Sequence, residues 1–252
     1  MSFVLETRDL SMRFGALVVA DAIGLGLAAG ARHALIGPNG AGKTTFVNLV
    51  TGRITPSRGA VYLLGQDVTR LPVAERTLRG LTRTFQINAL FFGLSVLENI
   101  VLAITERERL GWRLVRAAGR RSVILEEAYT FAERLGVAAL ADRDVRELAY
   151  GDQRAVEIAI ALAQKPKVLI LDEPAAGVPE SERERILEIL GQLPADIAIL
   201  IIEHDMDIVF RFARRISVLD QGRLVAEGSP AEIAANDSVR AIYFGHREIA
   251  RV

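Results

Sequence analysis

The chain has 252 residues, half of them hydrophobic and a quarter charged, which suits one compact unit with a subdomain and excludes both a disordered chain and a string of modules. Lys plus Arg and Asp plus Glu each number 31, so the formal net charge is zero and no overall bias favours nucleic acid or an anionic membrane, although a local basic patch stays open. With no cysteine there is no disulfide scaffold, Cys-ligated metal centre or thiol nucleophile, and the composition fits a reducing cytoplasm.

Residues 1–13 carry Glu6, Arg8, Asp9 and Arg13 and lack the apolar run and cleavage site of a secretory signal, so export is not expected. Short apolar runs at 3–5, 17–19, 34–36 and 60–64, broken by glycines, predict strands. A glycine-rich turn follows the third of them, then a helical pattern over 44–50 that stops near Gly52. Between about 87 and 150 the strand signals fade, and Ser95 with Glu98 forms a capping box before a helical run at 99–104. Gly151, Glu157, Ile158, Ala161, Leu162 and Gln164 trace an amphipathic helix. The continuous apolar runs 168–171 and 197–202 predict strands covered on both faces of a parallel sheet, with a helix over 180–193 between them. Residues 216–219 and 224–226 flank Asp220-Gln221-Gly222 as in a hairpin, and 230–244 reads as short helices. The most apolar stretches, 22–31 and 197–202, fall far short of the roughly 20 residues of a spanning helix, so any membrane link is expected to run through a partner. The fold class is α/β with a helical insertion.

Gly37-Pro38-Asn39-Gly40-Ala41-Gly42-Lys43-Thr44 fits G-x-x-x-x-G-K-[ST], the Walker A phosphate loop. Its glycines let successive backbone N–H groups turn toward phosphate oxygens, and the following helix adds its positive end. Lys43 would reach the β and γ phosphates and Thr44 would supply part of a Mg²⁺ shell. The strand at 168–171 ends in Asp172-Glu173-Pro174, the Walker B arrangement. At that strand end Asp172 can hold Mg²⁺ through water while Glu173 positions or deprotonates the attacking water; the competing reading is a plain turn or cap.

With these motifs in place, the chain resembles, over nearly its whole length, the nucleotide-binding subunit of an ABC transporter. The resemblance implies a P-loop, RecA-like core with a mixed sheet, an antiparallel β subdomain and an inserted helical subdomain. It divides a single ATP-binding domain of residues 1–252 into a core of 1–86 and 154–252 and a helical subdomain of 87–153. Gln86 in Thr84-Phe85-Gln86 resembles the Q-loop glutamine that senses Mg²⁺ and the γ-phosphate. His204 resembles the switch histidine and Phe14 the aromatic that stacks on adenine. Taken alone, Gln86 reads first as a surface residue, and His204 and Phe14 first as core residues; their order and spacing around the Walker pair reverse that reading. The P-loop carry-over extends to Thr45. Leu148-Ala149-Tyr150-Gly151-Asp152-Gln153 sits where the family carries its signature, which implies that two copies sandwich two ATP molecules head to tail, with the helix N-terminus at Gly151 facing the other copy's γ-phosphate. His33 and His246 match no family site and read as ordinary residues.

Two departures stand out: the signature's usual serine is Ala149, and the loop after Walker B reads Ala175-Ala176-Gly177-Val178-Pro179, with proline where many members have aspartate. Residues 81–86, 148–151, 172–177, 202–206 and the ending with Tyr243-Phe244-Gly245 resemble the branch that imports branched-chain amino acids in bacteria, relatives of which serve urea, amides or aromatic acids. Transmembrane permease subunits, a second ATP-binding subunit and, indirectly, a periplasmic binding protein are the implied partners, with no nucleic acid, and the implied place is the cytoplasmic face of the inner membrane. Competing classes are a soluble ABC-type ATPase acting on ribosomes or DNA repair, which would usually carry two cassettes or a long coiled coil, and a P-loop switch or small-molecule kinase, which leaves the signature and His204 without a role. The segment 105–121, with Arg107, Arg109, Arg113, Arg116, Arg120 and Arg121 against two glutamates, is expected near the membrane-side partner; the alternative is a solvated face.

Overall fold

The computed structural model describes residues 3–84, 90–109, 118–179 and 182–244. Two sheets carry the chain. The first is antiparallel, in the order β2 (Leu17–Ala28), β1 (Phe3–Phe14), β4 (Arg58–Leu63), β5 (Gln66–Asp67). The second runs β10 (Arg223–Gly228), β9 (Arg215–Asp220), β3 (Arg32–Ile36), β8 (Ala198–Ile202), β7 (Val168–Asp172), β6 (Leu81–Arg83). Its pairs are parallel except β9 with β10, so it is a mixed sheet.

The helix α1 (Lys43–Thr51) packs Phe46, Val47, Leu49 and Val50 into the core shared by the two sheets. The strands behind it alternate as the pleat demands: Leu35, Ile170 and Leu200 enter that core, while Ile36, Leu169, Leu171 and Ile201 enter a second one on the opposite face. The second core is closed by α3 (Val96–Arg107), α4 (Ala118–Arg134), α5 (Tyr150–Ala163), α6 (Arg183–Gly191) and α7 (Met206–Phe212). These central strands are buried on both sides, which is why they read as unbroken apolar runs.

Local signals set several boundaries. The Ser95 hydroxyl accepts from the Glu98 N–H while the Glu98 carboxylate accepts from Ser95, starting α3 as the capping box requires. Gln221 and Gly222 both take left-handed φ, the form a two-residue hairpin turn needs. The chain ends in α8 (Pro230–Ala234) and α9 (Asp237–Phe244).

Other boundaries differ from the sequence expectation. β1 and β2 are 12 residues each, far beyond the runs at 3–5 and 17–19, because register shifts near Asp9 and Ala22, both at left-handed φ, interrupt the alternation without ending the pairing. β6 is three residues long, too short to leave a pattern, and α2 (Val73–Leu78) escapes for the same reason. Arg76 on α2 is 1% exposed and donates to the carbonyls of Leu49 and Val50, so a buried guanidinium satisfies the C-terminal end of α1. Burial pulls its pKa down to about 10. His33 is a satisfied core residue, hydrogen-bonded to Ser217 and held neutral by burial, with its pKa lowered to about 4.

Candidate nucleotide site

The loop 37–42 leaves the C-terminal end of β3 and enters α1. Gly40 has φ 81 and faces open space, so its backbone angle is what calls for glycine; a Cβ on Gly42, at φ 103, would also lie 2.6 Å from the Val19 carbonyl. Gly37 and Ala41 are buried, Pro38 is half-buried, and Asn39, Gly40 and the Thr44 side chain are exposed; Thr45 is half-buried. No side chain caps α1 and no acidic residue lies in its first turn, so its leading N–H groups and positive end face the loop. Lys43 Nζ donates to the carbonyls of Gly37, at 2.6 Å, and Pro38, at 3.0 Å, curling the loop around its own ammonium. Burial lowers the Lys43 pKa, and the carboxylates of Glu173 and Asp172 oppose that shift, which puts both within electrostatic reach.

Asp172 ends β7 beside Ile202 of β8 and is 5% exposed. Glu173 follows at φ 47, an unusual angle for a residue with a Cβ, and its N–H donates to the Ile202 carbonyl at 2.8 Å. That turn separates the directions of two adjacent carboxylates. His204 lies just past β8 with its side chain 64% exposed, and Phe14 at the tip of the β1–β2 hairpin is 50% exposed, so neither is a core residue. Strand β2 of that hairpin lies against the loop, where the Val19 carbonyl approaches Gly42, and against the β9–β10 turn, where the Asp21 N–H donates to the Gly222 carbonyl. Lys43, Asp172, Glu173 and His204 thus gather at the C-terminal ends of the neighbouring strands β3, β7 and β8. Gln86 lies outside the described residues.

The residues 148–153 stand apart, and the polar contacts of Tyr150 and Gly151 go to the segment after β7. Leu148 is buried and Ala149 is the N-cap of α5, without a side-chain bond. The Tyr150 hydroxyl donates to the Ala176 carbonyl at 2.8 Å, and Arg154 donates to the same hydroxyl at 2.6 Å while pairing with Glu157. The Gly151 N–H donates to Glu182 Oε2 at 2.9 Å. Glu182 in turn donates its N–H to the Pro179 carbonyl, which fixes where that carboxylate stands. Asp152 and Gln153 are half-buried, and Gln153 Nε2 reaches the Leu148 carbonyl.

Three participants escaped the sequence reading. Glu203, fully buried, accepts from the N–H groups of Ala175, His204 and Asp205 and so binds the loop after β7 to the loop after β8. Arg83 pairs with Asp172, and Glu182 meets Gly151. Each partnership joins segments distant in sequence; the one available signal was Glu203, a lone carboxylate continuing an apolar strand. Within the arginine segment, Arg107 is not on a solvated face, because it is 13% exposed and bonds Glu127 of α4 and the Ala163 carbonyl at the end of α5. Arg113 and Arg116 lie outside the described residues, as do the side chains of Arg120 and Arg121 and the whole of His246.

The hard oxygen donors of Thr44 and Asp172 suit magnesium, and among the described residues no group of three or more His, Asp or Glu side chains could cage a metal. An ion held here by Thr44 and Asp172 would also need ligands from outside this pair, phosphate and water among them. Among the described residues no helix is long and apolar enough to cross a membrane.

Residues 20–176 match the family described as ABC transporter, and residues 223–249 match the family described as branched-chain amino acid ATP-binding cassette transporter. The chain is 39% identical to the high-affinity branched-chain amino acid transport ATP-binding protein LivG of Escherichia coli over 96% of its length and 98% of that protein. It is 35% identical to the corresponding BraF protein of Pseudomonas aeruginosa, with the same coverage. The crystal structure of a nucleotide-free ATP-binding cassette from an ABC transporter superposes with a TM-score of 0.83 at 30% identity, covering 97% of this chain and all of that one. The crystal structure of the ADP conformation of an ATP-binding cassette of an ABC transporter matches with the same TM-score at 31% identity and the same coverage.

Proposed function

Since the chain belongs to the ABC transporter family as an ATP-hydrolysing, ATP-binding subunit, we propose that it powers import of branched-chain or related amino acids through membrane permease partners. The observation that carries this is the convergence of Lys43, Asp172 and Glu173 at the ends of β3 and β7, together with the match of residues 223–249 to the branched-chain segment.

In this reading the open N–H groups of 37–45 take the β and γ phosphates, and Lys43 exchanges its bonds to Gly37 and Pro38 for phosphate oxygens. Thr44, Asp172 and Gln86 would hold magnesium, which would supply charge neutralisation at the phosphates. Glu173, turned aside by its left-handed backbone, accepts the attacking water's proton. His204, its loop held by the buried Glu203, reaches toward the γ-phosphate, and Phe14 offers an exposed ring face to adenine. Tyr243 lies behind the loop: burial raises its pKa to about 12, an effect that the Gly37 backbone opposes.

Two copies pair head to tail, each presenting residues 148–153 of its 87–153 helical subdomain to the nucleotide held by the other's core. With Ala149 in place of serine, the Gly151 N–H carries that contact. The permease docks at the cytoplasmic face in the open groove of about 360 Å³ between α1, α2 and α3, where exposed Val73 and Leu78 lie beside Arg53 and Arg109. A periplasmic binding protein delivers the cargo, which this chain does not touch.

Co-purification with the hydrophobic permease subunits, followed by ATP-driven uptake of labelled leucine into vesicles holding the complex, tests the proposal. Uptake that needs ATP and is lost with Lys43→Ala is the expected result. Failure to associate with any membrane subunit, with ATP hydrolysis intact, would overturn the import reading while leaving the enzyme assignment standing.

A further inference from the structure

The carboxylate read as the magnesium ligand already has a cation beside it. Arg83 Nη2 pairs with Asp172 Oδ2, and both side chains are almost wholly buried, at 8% and 5% exposure. Arg83 is also held by the framework on both sides. Its strand β6 runs parallel to β7, with Arg83 opposite Ile170; the Thr84 N–H donates to the Ile170 carbonyl, and the Asp172 N–H meets the Thr84 hydroxyl. Its other terminal nitrogen donates to Asn48 Oδ1 at 2.8 Å, on the helix that leads out of the phosphate loop. One guanidinium therefore links α1, the edge strand and the Walker B carboxylate. Such a planar fork, held at both prongs, keeps its charge and its direction.

Lys43 lies within electrostatic reach of Asp172 and Glu173, and Arg83 pairs with Asp172. Without Arg83 the buried Asp172 charge would lose that counter-charge, facing a nucleotide that is itself an anion. Little water screens a buried pair, so a charge removed here is felt at the phosphates.

We propose that Arg83 is a positioning residue that sets how strongly nucleotide binding depends on magnesium, by holding Asp172 oriented and partly neutralised through the Asn48–Arg83–Asp172 chain. The inference rests on the assignment of Asp172 to the metal side of the site. Arg83 lets the loop accept a nucleotide before the metal arrives, and it keeps Asp172 from acting as a bare negative charge against the phosphates. When the metal side fills, Arg83 shares the carboxylate rather than leaving it, because Asn48 holds its guanidinium and the β6–β7 ladder its backbone.

The test is equilibrium binding of ADP to the full chain, once in EDTA and once in saturating magnesium chloride, read as the ratio of the two dissociation constants. Arg83→Gln should raise that ratio about tenfold, chiefly by weakening metal-free ADP. Arg83→Lys, which restores the charge, should bring the ratio back toward the unsubstituted protein. Asn48→Ala, which leaves every charge in place and loosens only the orientation, should raise the ratio by roughly two- to threefold. It also carries the test if Arg83→Gln does not fold. A ratio unchanged in both Arg83→Gln and Asn48→Ala, with only the melting temperature lowered, would reduce Arg83 to a structural residue and overturn the proposal. A ratio of one in the unsubstituted protein would instead bring down the Asp172 assignment, and the proposal with it.

Discussion

The N-termini of α1 and α5 make a natural comparison. Both are helix ends with backbone N–H groups to satisfy and a positive dipole end, and neither N-cap residue offers a side-chain bond. At α1 the glycine loop holds the leading N–H groups toward an open face, with no acidic side chain in the first turn. At α5 the chain has supplied its own anion: Glu182, 31 residues further on, accepts from Gly151, and Asp152 lies in the first turn. The same backbone physics thus yields one end left open, the one proposed to receive a phosphate, and another already satisfied from within. On the head-to-tail reading, the second end accepts the other copy's γ-phosphate only after Glu182 gives way.

The largest expected effect separates chemistry from binding at the α1 end. Glu173→Gln keeps the shape of the side chain and removes its ability to take a proton, so turnover should fall by at least about 10²-fold while ATP affinity holds. A phosphate-release assay beside a binding titration checks this, and normal hydrolysis would displace Glu173 from the reaction. Next, Lys43→Ala removes the ammonium that the loop encloses, and ATP affinity should fall by about 2 kcal/mol, roughly thirtyfold. An unchanged affinity would mean that the N–H groups of α1 suffice and that the lysine is not the phosphate-binding charge.

Phe14→Ala sharpens the comparison from the side of the base. Because the ring is half exposed at the hairpin tip, its loss should spare the fold and weaken ATP by about 1–2 kcal/mol, with ATP and GTP affected alike, since a ring face does not distinguish bases well. A drop in melting temperature without an affinity defect would contradict it. The smallest effect belongs to α5. Glu182→Gln leaves an acceptor and removes the charge, so stability should fall by roughly 0.5 kcal/mol and, in a Glu173→Gln background, the ATP-bound dimer should form at a few-fold lower protein concentration. Thermal melts and sizing with ATP measure both, and a dimer that needs more protein than before would show that Glu182 helps closure instead of opposing it.

The parts of this molecule that could be read from residues alone are those whose cause is local. The phosphate loop is legible because its glycines, lysine and threonine must follow one another between a strand and a helix, and the structure places β3 and α1 there. The central strands are legible because burial on both faces leaves unbroken apolar runs in them, at 168–171 and 198–202. Ser95 with Glu98 and Gln221 with Gly222 are legible because a cap and a turn each close within four residues. The pairing of Arg83 with Asp172, the seat of Glu203 beneath two loops, the cap on Gly151 and the hold of Arg76 on α1 have no such mark. Each joins segments between 26 and 89 residues apart, apart from the short bonds Glu203 makes to its own neighbours. An arginine or glutamate in a sequence looks like any solvated charge. What turned these into buried partners was the packing of strands and helices around them, since a charge removed from water is tolerated only where folding delivers its counter-charge or N–H donors.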